Sequence, residues 1–314
     1  MQMQKYHDLM ENILANGEEI TTERTGVGTL SIFGEQQKFN LSDGFPAITT
    51  KKLAWKSVVS ELIWFLKGSS NVEELREILH GKENREDFNK KTIWDANYLE
   101  QALDLGYSNG EMGDIYGTQW RNFGAERLYL DTQNKNGNWE ENISGVDQVK
   151  IILEEAKVNP QSRRLIVSAW NPKVIWKYSD EFVGVNPATL PPCHMMFQLR
   201  IVNGKLDLMW YQRSVDVFLG LAFNIASYAL LTHMFSRILG LNVGTVIGTY
   251  GDAHIYKNHI NQVKEQLSRD HFDPPKLWIN PKLKTLEDFC NASVDDFKLI
   301  DYNSHSAIKA SMAV

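Results

Sequence analysis

Apolar residues recur along this chain in two rhythms, and the rhythm assigns the element. Over residues 1–16, Tyr6, Leu9, Met10 and Ile13 fall on one helical face, and Gly17 stops the helix. Over residues 53–66, Trp55, Val58, Val59, Leu62, Ile63 and Leu66 repeat that spacing, and Gly68 closes the segment. Trp64 and Phe65 widen its apolar surface almost all round, which predicts a deeply buried helix. Residues 223–239 predict another mostly apolar helix, ending at Gly240 with Arg237 where the helix dipole favours a cation.

The strand rhythm appears elsewhere. Residues 29–41 are rich in β-formers and broken at Gly34, which reads as a hairpin. Residues 164–170 read as a short strand. Residues 194–202 and 205–211 flank Asn203-Gly204, the strongest short hairpin signal in the chain. Residues 245–247 and 297–300 read as short strands, and the polar stretches 81–91 and 130–143 as surface excursions. The sum predicts an α+β fold in one domain over residues 1–314: a twisted mixed or antiparallel sheet packed by long buried helices.

Composition narrows the class. The 314 residues carry a net charge of −6, and 43% are hydrophobic, enough for a sizeable core. No uninterrupted apolar run of about 18 residues argues for a membrane span, and the first residues lack a signal-peptide core. Two cysteines, Cys193 and Cys290, make no disulfide framework, so a reducing compartment such as the cytoplasm is expected. The acidic balance argues against a general nucleic-acid binder but leaves room for a local basic pocket that takes a small phosphorylated ligand.

Four polar features sit in or beside apolar stretches. Cys193, in Leu190-Pro191-Pro192-Cys193-His194, reads either as a buried thiol beside a turn or as a nucleophile aimed by two prolines. The run Tyr211-Gln212-Arg213-Ser214-Val215-Asp216 reads either as a solvated turn or as an oxyanion site built on Arg213 and Ser214. The pair Arg163-Arg164 reads either as a solvated strand edge or as part of a phosphate site with Arg213 and Arg24. Arg24 opens a glycine-containing turn that has neither a Walker lysine nor a Rossmann spacing. Glu61 lies among ten residues, 57–66, of which seven are apolar. That setting favours a raised pKa and an acid/base role, with a snorkelling or interface glutamate as the alternative. Asn224 either caps its helix or pairs its amide with a ligand's donor–acceptor edge. His254, Tyr256 and His259 lack a third ligand at zinc spacing, so no metal is expected. Trp94 and Trp120 read as core aromatics or as a wall for a flat heterocycle.

Taken together and in order, these blocks resemble the thymidylate synthase family. The resemblance runs through Arg24-Thr25-Gly26, Glu61-Leu62-Ile63-Trp64-Phe65-Leu66, Thr92-Ile93-Trp94-Asp95, Tyr116-Gly117, Gln119-Trp120-Arg121 and Ser162-Arg163-Arg164. It continues through Pro192-Cys193-His194, residues 211–221, Phe223-Asn224-Ile225-Ala226-Ser227-Tyr228, Gly251-Asp252-Ala253-His254-Ile255-Tyr256 and the ending 308–314. It implies transfer of a one-carbon unit from 5,10-methylenetetrahydrofolate, a co-substrate, to C5 of dUMP, giving dTMP and dihydrofolate in a homodimer. By the resemblance, Cys193 attacks C6 of the pyrimidine. Arg213 holds the thiolate state and, with Arg24, Ser214 and the partner subunit's Arg163 and Arg164, the phosphate. Asn224 reads N3–H and O4; aspartate there marks the related dCMP hydroxymethylases.

The resemblance also assigns His254 and Tyr256 to the 3′-hydroxyl. Glu61, Tyr116 and His194 manage protons, and Asp216 binds the pterin and belongs to the catalytic set. Ile93, Trp94, Leu219 and Phe223 flank the folate, and Val314 closes the site. Ala222 and Asp114 stand where the family usually has proline. Two alternatives follow: a dUMP hydroxymethylase, in which water instead of hydride quenches the same exocyclic methylene, and an inactive nucleotide- or RNA-binding relative. Neither a membrane nor an obligatory nucleic acid is expected as a partner.

Overall fold

The computed structural model describes residues 2–21, 26–130, 138–175 and 186–311. In chain order its helices are α1 (Gln4–Asn16), α2 (Trp55–Leu66), α3 (Val72–His80), α4 (Asp95–Asn97), α5 (Tyr116–Arg121), α6 (Gln148–Val158), α7 (Pro172–Ile175), α8 (Ala222–Leu239), α9 (Ile260–Leu267) and α10 (Leu286–Cys290). Its strands are β1 (Glu18–Ile20), β2 (Thr29–Asn40), β3 (Glu126–Leu130), β4 (Asn138–Ile143), β5 (Ile166–Ser168), β6 (His194–Val202), β7 (Lys205–Asp216), β8 (Asn242–Tyr256), β9 (Lys276–Ile279) and β10 (Phe297–Ile300).

Six strands form the central sheet in the order β1-β2-β8-β7-β6-β5. Only the β7–β8 pair within it is parallel, so the predicted mixed α+β sheet is the observed one. Pairing alternates cleanly. Leu206, Leu208, Trp210 and Gln212 of β7 are buried toward the helices, while Asp207, Met209 and Tyr211 face the other way. Helix α8 lies under β7 and β8, where the Tyr228 ring stacks on Trp210 at 4.7 Å. Helix α2 packs against α8, so the two most apolar helices bury each other. Val217–Leu239 is long and apolar enough to cross a membrane, yet it is a largely buried core helix here, entered through a π-turn at Val217–Leu221.

Several local expectations change. Residues 29–41 are not a hairpin but the single strand β2. Thr29 and Ser31 before Gly34 and Gln37 and Phe39 after it are buried on the same parity, so the chain runs straight on beside β8. Residues 245–247 lie in the first half of the fifteen-residue β8. Glycines hid its length: a Cβ at Gly248 would lie 2.6 Å from the Trp210 ring, so the close packing of that ring demands glycine. The stretch 81–91 is not wholly a surface excursion, because Phe88 turns inward onto Arg76. Within 130–143, the part described pairs as β4 against β3.

The two departures from proline have local explanations. Ala222 opens α8 at φ −62°, an angle that alanine and proline both adopt at a first helical turn. The Asp114 amide donates to the Asn186 carbonyl, a bond proline cannot make.

Candidate active site

The site gathers where the strand starts of β6, the end of β7 and the start of α8 meet α2 and α5. Two prolines carry the chain into β6 and leave Cys193 half-buried at its mouth. Its backbone amide donates to the Tyr116 hydroxyl at 2.7 Å, and its carbonyl accepts from the Arg213 amide at 2.9 Å. Arg213 reaches back from β7. Its Nε donates to the Pro192 carbonyl and its Nη2 to the Pro191 carbonyl, both at 2.9 Å, and Nη2 stands 3.8 Å from the Cys193 sulfur. A guanidinium fixed at three points beside a sulfur favours negative charge there. Cys290 also has a guanidinium beside it, with Arg121 Nη1 3.4 Å from its sulfur, but it is buried, donates to the Leu66 carbonyl, and burial pushes its pKa up. Cys193 is the more accessible of the two thiols and stands beside the Arg213 guanidinium.

Glu61 sits in α2, 6% exposed. Its carboxylate accepts the Trp94 indole N–H at 2.7 Å. Burial pushes its carboxyl up to about 7, with the indole bond opposing that rise. It therefore titrates near neutrality, where proton transfer in both directions is cheap. Trp94 packs edge-on against Trp64, Phe65 and Tyr116, so it is both a core aromatic and the orienting partner of Glu61. Tyr116 and Tyr228 are buried and held well above the usual phenol range, so both keep their protons. Burial lowers the His194 pKa to about 4, which keeps its imidazole neutral at physiological pH.

Asn224 is 8% exposed. Its Oδ1 accepts from Gln212 Nε2 at 3.1 Å, and Gln212 Oε1 in turn accepts from Trp210 Nε1 at 3.2 Å. His194 hydrogen-bonds the same amide. Asn224 is therefore a held amide and not a helix cap, since α8 begins at Ala222 with Leu221 as its N-cap. At the far end of β7, Asp216 Oδ1 accepts from the amides of Phe218 and Leu219, both at 3.0 Å, and Asp216 pairs with His254 in register. His254 Nδ1 bonds Asp252 Oδ1 at 2.9 Å, and Ser31 donates to that same oxygen at 2.8 Å. The Tyr256 ring stands edge-on to His254 at 5.2 Å. Ile93 (45% exposed) and the half-buried Leu219 and Phe223 offer apolar surface near the Trp94 and Asp216 segments.

The structure thus brings Cys193, Arg213, Tyr116, His194, Asn224, Glu61 and Trp94 into one linked cluster. Ser214, Asp216, His254 and Tyr256 stand on the adjoining strand ends. It does not bring in Arg163 and Arg164, which are exposed beside the opposite face of the sheet, where Arg163 lines a depression of about 640 Å³ with Arg200, Met209 and Ile247. Arg24 and Val314 lie outside the described residues. Among the described residues no group of three or more His, Cys, Asp or Glu side chains is placed to hold a metal ion.

Four participants were missed from sequence: Gln212, Asp252, Ser31 and Lys51. Gln212 and Asp252 stood inside the quoted motifs, but only pairing across strands shows what they hold. Lys51, from the segment before α2, donates to the Phe218 carbonyl beside Asp216 and lies over the Phe218 ring at 3.9 Å. Burial pushes its amine down to about 8.

A sheet that presents a cysteine, an arginine, a buried glutamate and a held amide at one end has the groups that nucleophilic and acid/base catalysis require. The comparisons make that class specific. The thymidylate synthase family model matches residues 4–314, and the chain belongs to the thymidylate synthase family. It is 45% identical over 321 residues to the thymidylate synthase of Enterobacteria phage T4, covering 99% of this chain and 100% of that protein. The crystal structure of thymidylate synthase from T4 phage superposes with a TM-score of 0.83 at 44% identity, covering 99% and 100% of the two chains. The activity is accordingly that of a thymidylate synthase, a methyltransferase, and none of these likenesses favours a hydroxymethylase.

Proposed function

We infer that this chain converts dUMP to dTMP through a transient bond between the Cys193 sulfur and C6 of the pyrimidine. The observation that supports it best is the setting of that sulfur: an arginine tied to two prolyl carbonyls on one side, and the Tyr116 hydroxyl beneath its backbone amide. Attack at C6 pushes an electron pair through the ring to O4 and makes C5 nucleophilic. Neutral His194 and near-neutral Glu61 accept and return protons at O4 and C5, and Tyr116 takes part through its retained hydroxyl proton. Asn224 offers the pyrimidine edge an acceptor and a donor, Oδ1 toward N3–H and Nδ2 toward O4, and Gln212 steadies that amide. Asp252 fixes the His254 imidazole, so that with Tyr256 it meets the 3′-hydroxyl. Arg213 and Ser214, with Arg24, take the phosphate.

The donor set also suits 5,10-methylenetetrahydrofolate, the co-substrate of the family. A flat pterin with N–H donors fits apolar Ile93, Trp94, Leu219 and Phe223 beside the Asp216 carboxylate, and Val314 completes the cover. When bound, that molecule supplies both the one-carbon unit and the hydride. The protein's contribution is to hold the wall of Trp94 and Leu219 against water, so that hydride and not water reaches the carbon.

The working unit is a homodimer of single-domain subunits in the cytoplasm. Arg163 and Arg164 then reach across to the partner's phosphate site, which their exposure beside the open sheet face and their distance from their own Cys193 cluster both support.

Incubation with dUMP and methylenetetrahydrofolate tests the reading by product mass. dTMP with stoichiometric dihydrofolate is expected; 5-hydroxymethyl-dUMP without dihydrofolate contradicts it. The base reader has its own test. Asn224→Asp replaces the Nδ2 donor that met O4 with an oxygen that suits the 4-amino group of cytosine, and moves the preference toward dCMP by at least about tenfold in kcat/KM. Unchanged preference in paired dUMP and dCMP assays removes Asn224 from that role.

A further inference from the structure

We propose that Arg76 is a positioning residue for the reaction: it locks the turn at residues 92–95 in the arrangement that aims the Trp94 indole at Glu61. The proposal rests on the acid/base role of Glu61 given above and extends it to a residue outside the substrate pocket.

Arg76 lies on α3 and is fully buried. Its Nη2 donates to Asp95 Oδ1 at 2.6 Å, its Nη1 donates to the Arg85 carbonyl at 2.7 Å, and the Phe88 ring covers its guanidinium at 4.2 Å. Asp95 is 3% exposed, and its second oxygen accepts the Thr92 amide at 2.6 Å. Thr92 Oγ1 then accepts the Trp94 amide at 3.2 Å, and the Trp94 indole donates to Glu61 at 2.7 Å. Five groups thus run in one unbroken chain from Arg76 to Glu61.

A buried ion pair is a poor way to gain stability, because desolvation of both charges offsets most of their attraction. Here the pair fixes a shape. Asp95 uses one oxygen on the arginine and the other on the turn, so the turn cannot relax without exposing or unpairing a buried carboxylate. Helix α3 packs on α2, the helix that carries Glu61, so Arg76 ties the indole to the same body that holds its acceptor. The loop at residues 81–91 has a purpose in this frame: its Arg85 carbonyl and Phe88 ring close over the guanidinium.

Removal of the guanidinium leaves Asp95 unpaired. The carboxylate must protonate or turn to solvent; the first weakens its bond to the Thr92 amide and the second breaks it, and either lets the indole drift. Glu61 then loses the hydrogen bond that favours its charged form, and its proton is held more tightly. The limb of the kcat–pH profile that reports Glu61 moves to higher pH whichever protonation state the slow step needs.

The test is the kcat–pH profile of wild type, Trp94→Phe, Arg76→Met, Arg76→Lys and the Arg76→Met/Trp94→Phe double variant. Both single removals are expected to move the limb alkaline and to lower kcat at pH 7 by about tenfold, with KM for dUMP within about twofold. The double variant should match Trp94→Phe alone, because both changes break one chain. Arg76→Lys keeps a charge on Asp95 but cannot also reach the Arg85 carbonyl, so it shows a smaller alkaline move. It carries the test if Arg76→Met does not fold. A limb left at its wild-type position by the folded Arg76 variants, while Trp94→Phe moves it, overturns the proposal; additive moves in the double variant do the same. A limb unmoved by Trp94→Phe overturns the Glu61 reading itself and the proposal with it.

Discussion

Cys193→Ser is expected to lower turnover by about a thousandfold or more while dUMP stays bound. A serine hydroxyl is nearly isosteric with the thiol, so Arg213 keeps its bonds to the Pro191 and Pro192 carbonyls and the phosphate site keeps its form. What changes is the attacking atom. Sulfur beside a guanidinium bears negative charge readily, whereas a serine oxygen holds its proton far more tightly. Equilibrium binding of dUMP measures the retained half of this expectation, and the rate of dihydrofolate formation measures the lost half. Unchanged turnover would remove Cys193 from the chemistry.

The second large effect is at Glu61. Glu61→Gln keeps an acceptor for the Trp94 indole but abolishes proton transfer, so kcat is expected to fall by ~10²–10³-fold and the limb near pH 7 to vanish. Stability moves the other way. The folded-state pKa, about 7, lies above the ordinary value of 4.5, so the folded protein binds this proton more tightly than the unfolded chain. The stabilisation is complete below about pH 4.5 and is lost as pH rises through 7. Above that, the buried charge costs roughly 3 kcal/mol. Gln bears no such charge, so the variant should melt higher than wild type at pH 8 and lose that advantage by pH 5. A kinetic defect without a gain in Tm at pH 8 would place the Glu61 carboxylate in a wetter setting than the one described.

These expectations rest on features of unequal visibility in the sequence. Helix α2 was legible because its spacing is helical and apolar, and Glu61 stood out because a carboxylate in that company is costly, although a snorkelling or interface glutamate fitted the sequence as well. The β6–β7 hairpin was legible from Asn203-Gly204, and Asn203 and Gly204 both adopt positive φ there, as such a turn requires. Strand β8 was not, because glycines at positions 244, 248 and 251 interrupt its β-former pattern, and all three make way for side chains of neighbouring β7. Gln212 and Asp252 were quoted inside motifs but given no role, since their partners Asn224 and Ser31 lie 12 and 221 residues away. Arg76 stands in none of the motifs that the sequence singles out. Only the fold shows the loop at 81–91 closing over it.

The central claim is the sulfur–carbon bond, and it can be caught. Fluorine at C5 of dUMP cannot leave as a proton does, so 5-fluoro-dUMP with methylenetetrahydrofolate halts the reaction after the bond has formed. Denaturing mass spectrometry of the chain should then show one nucleotide and one folate added, both on the peptide that contains Cys193. An unmodified chain, or label on Cys290 instead, would contradict the account.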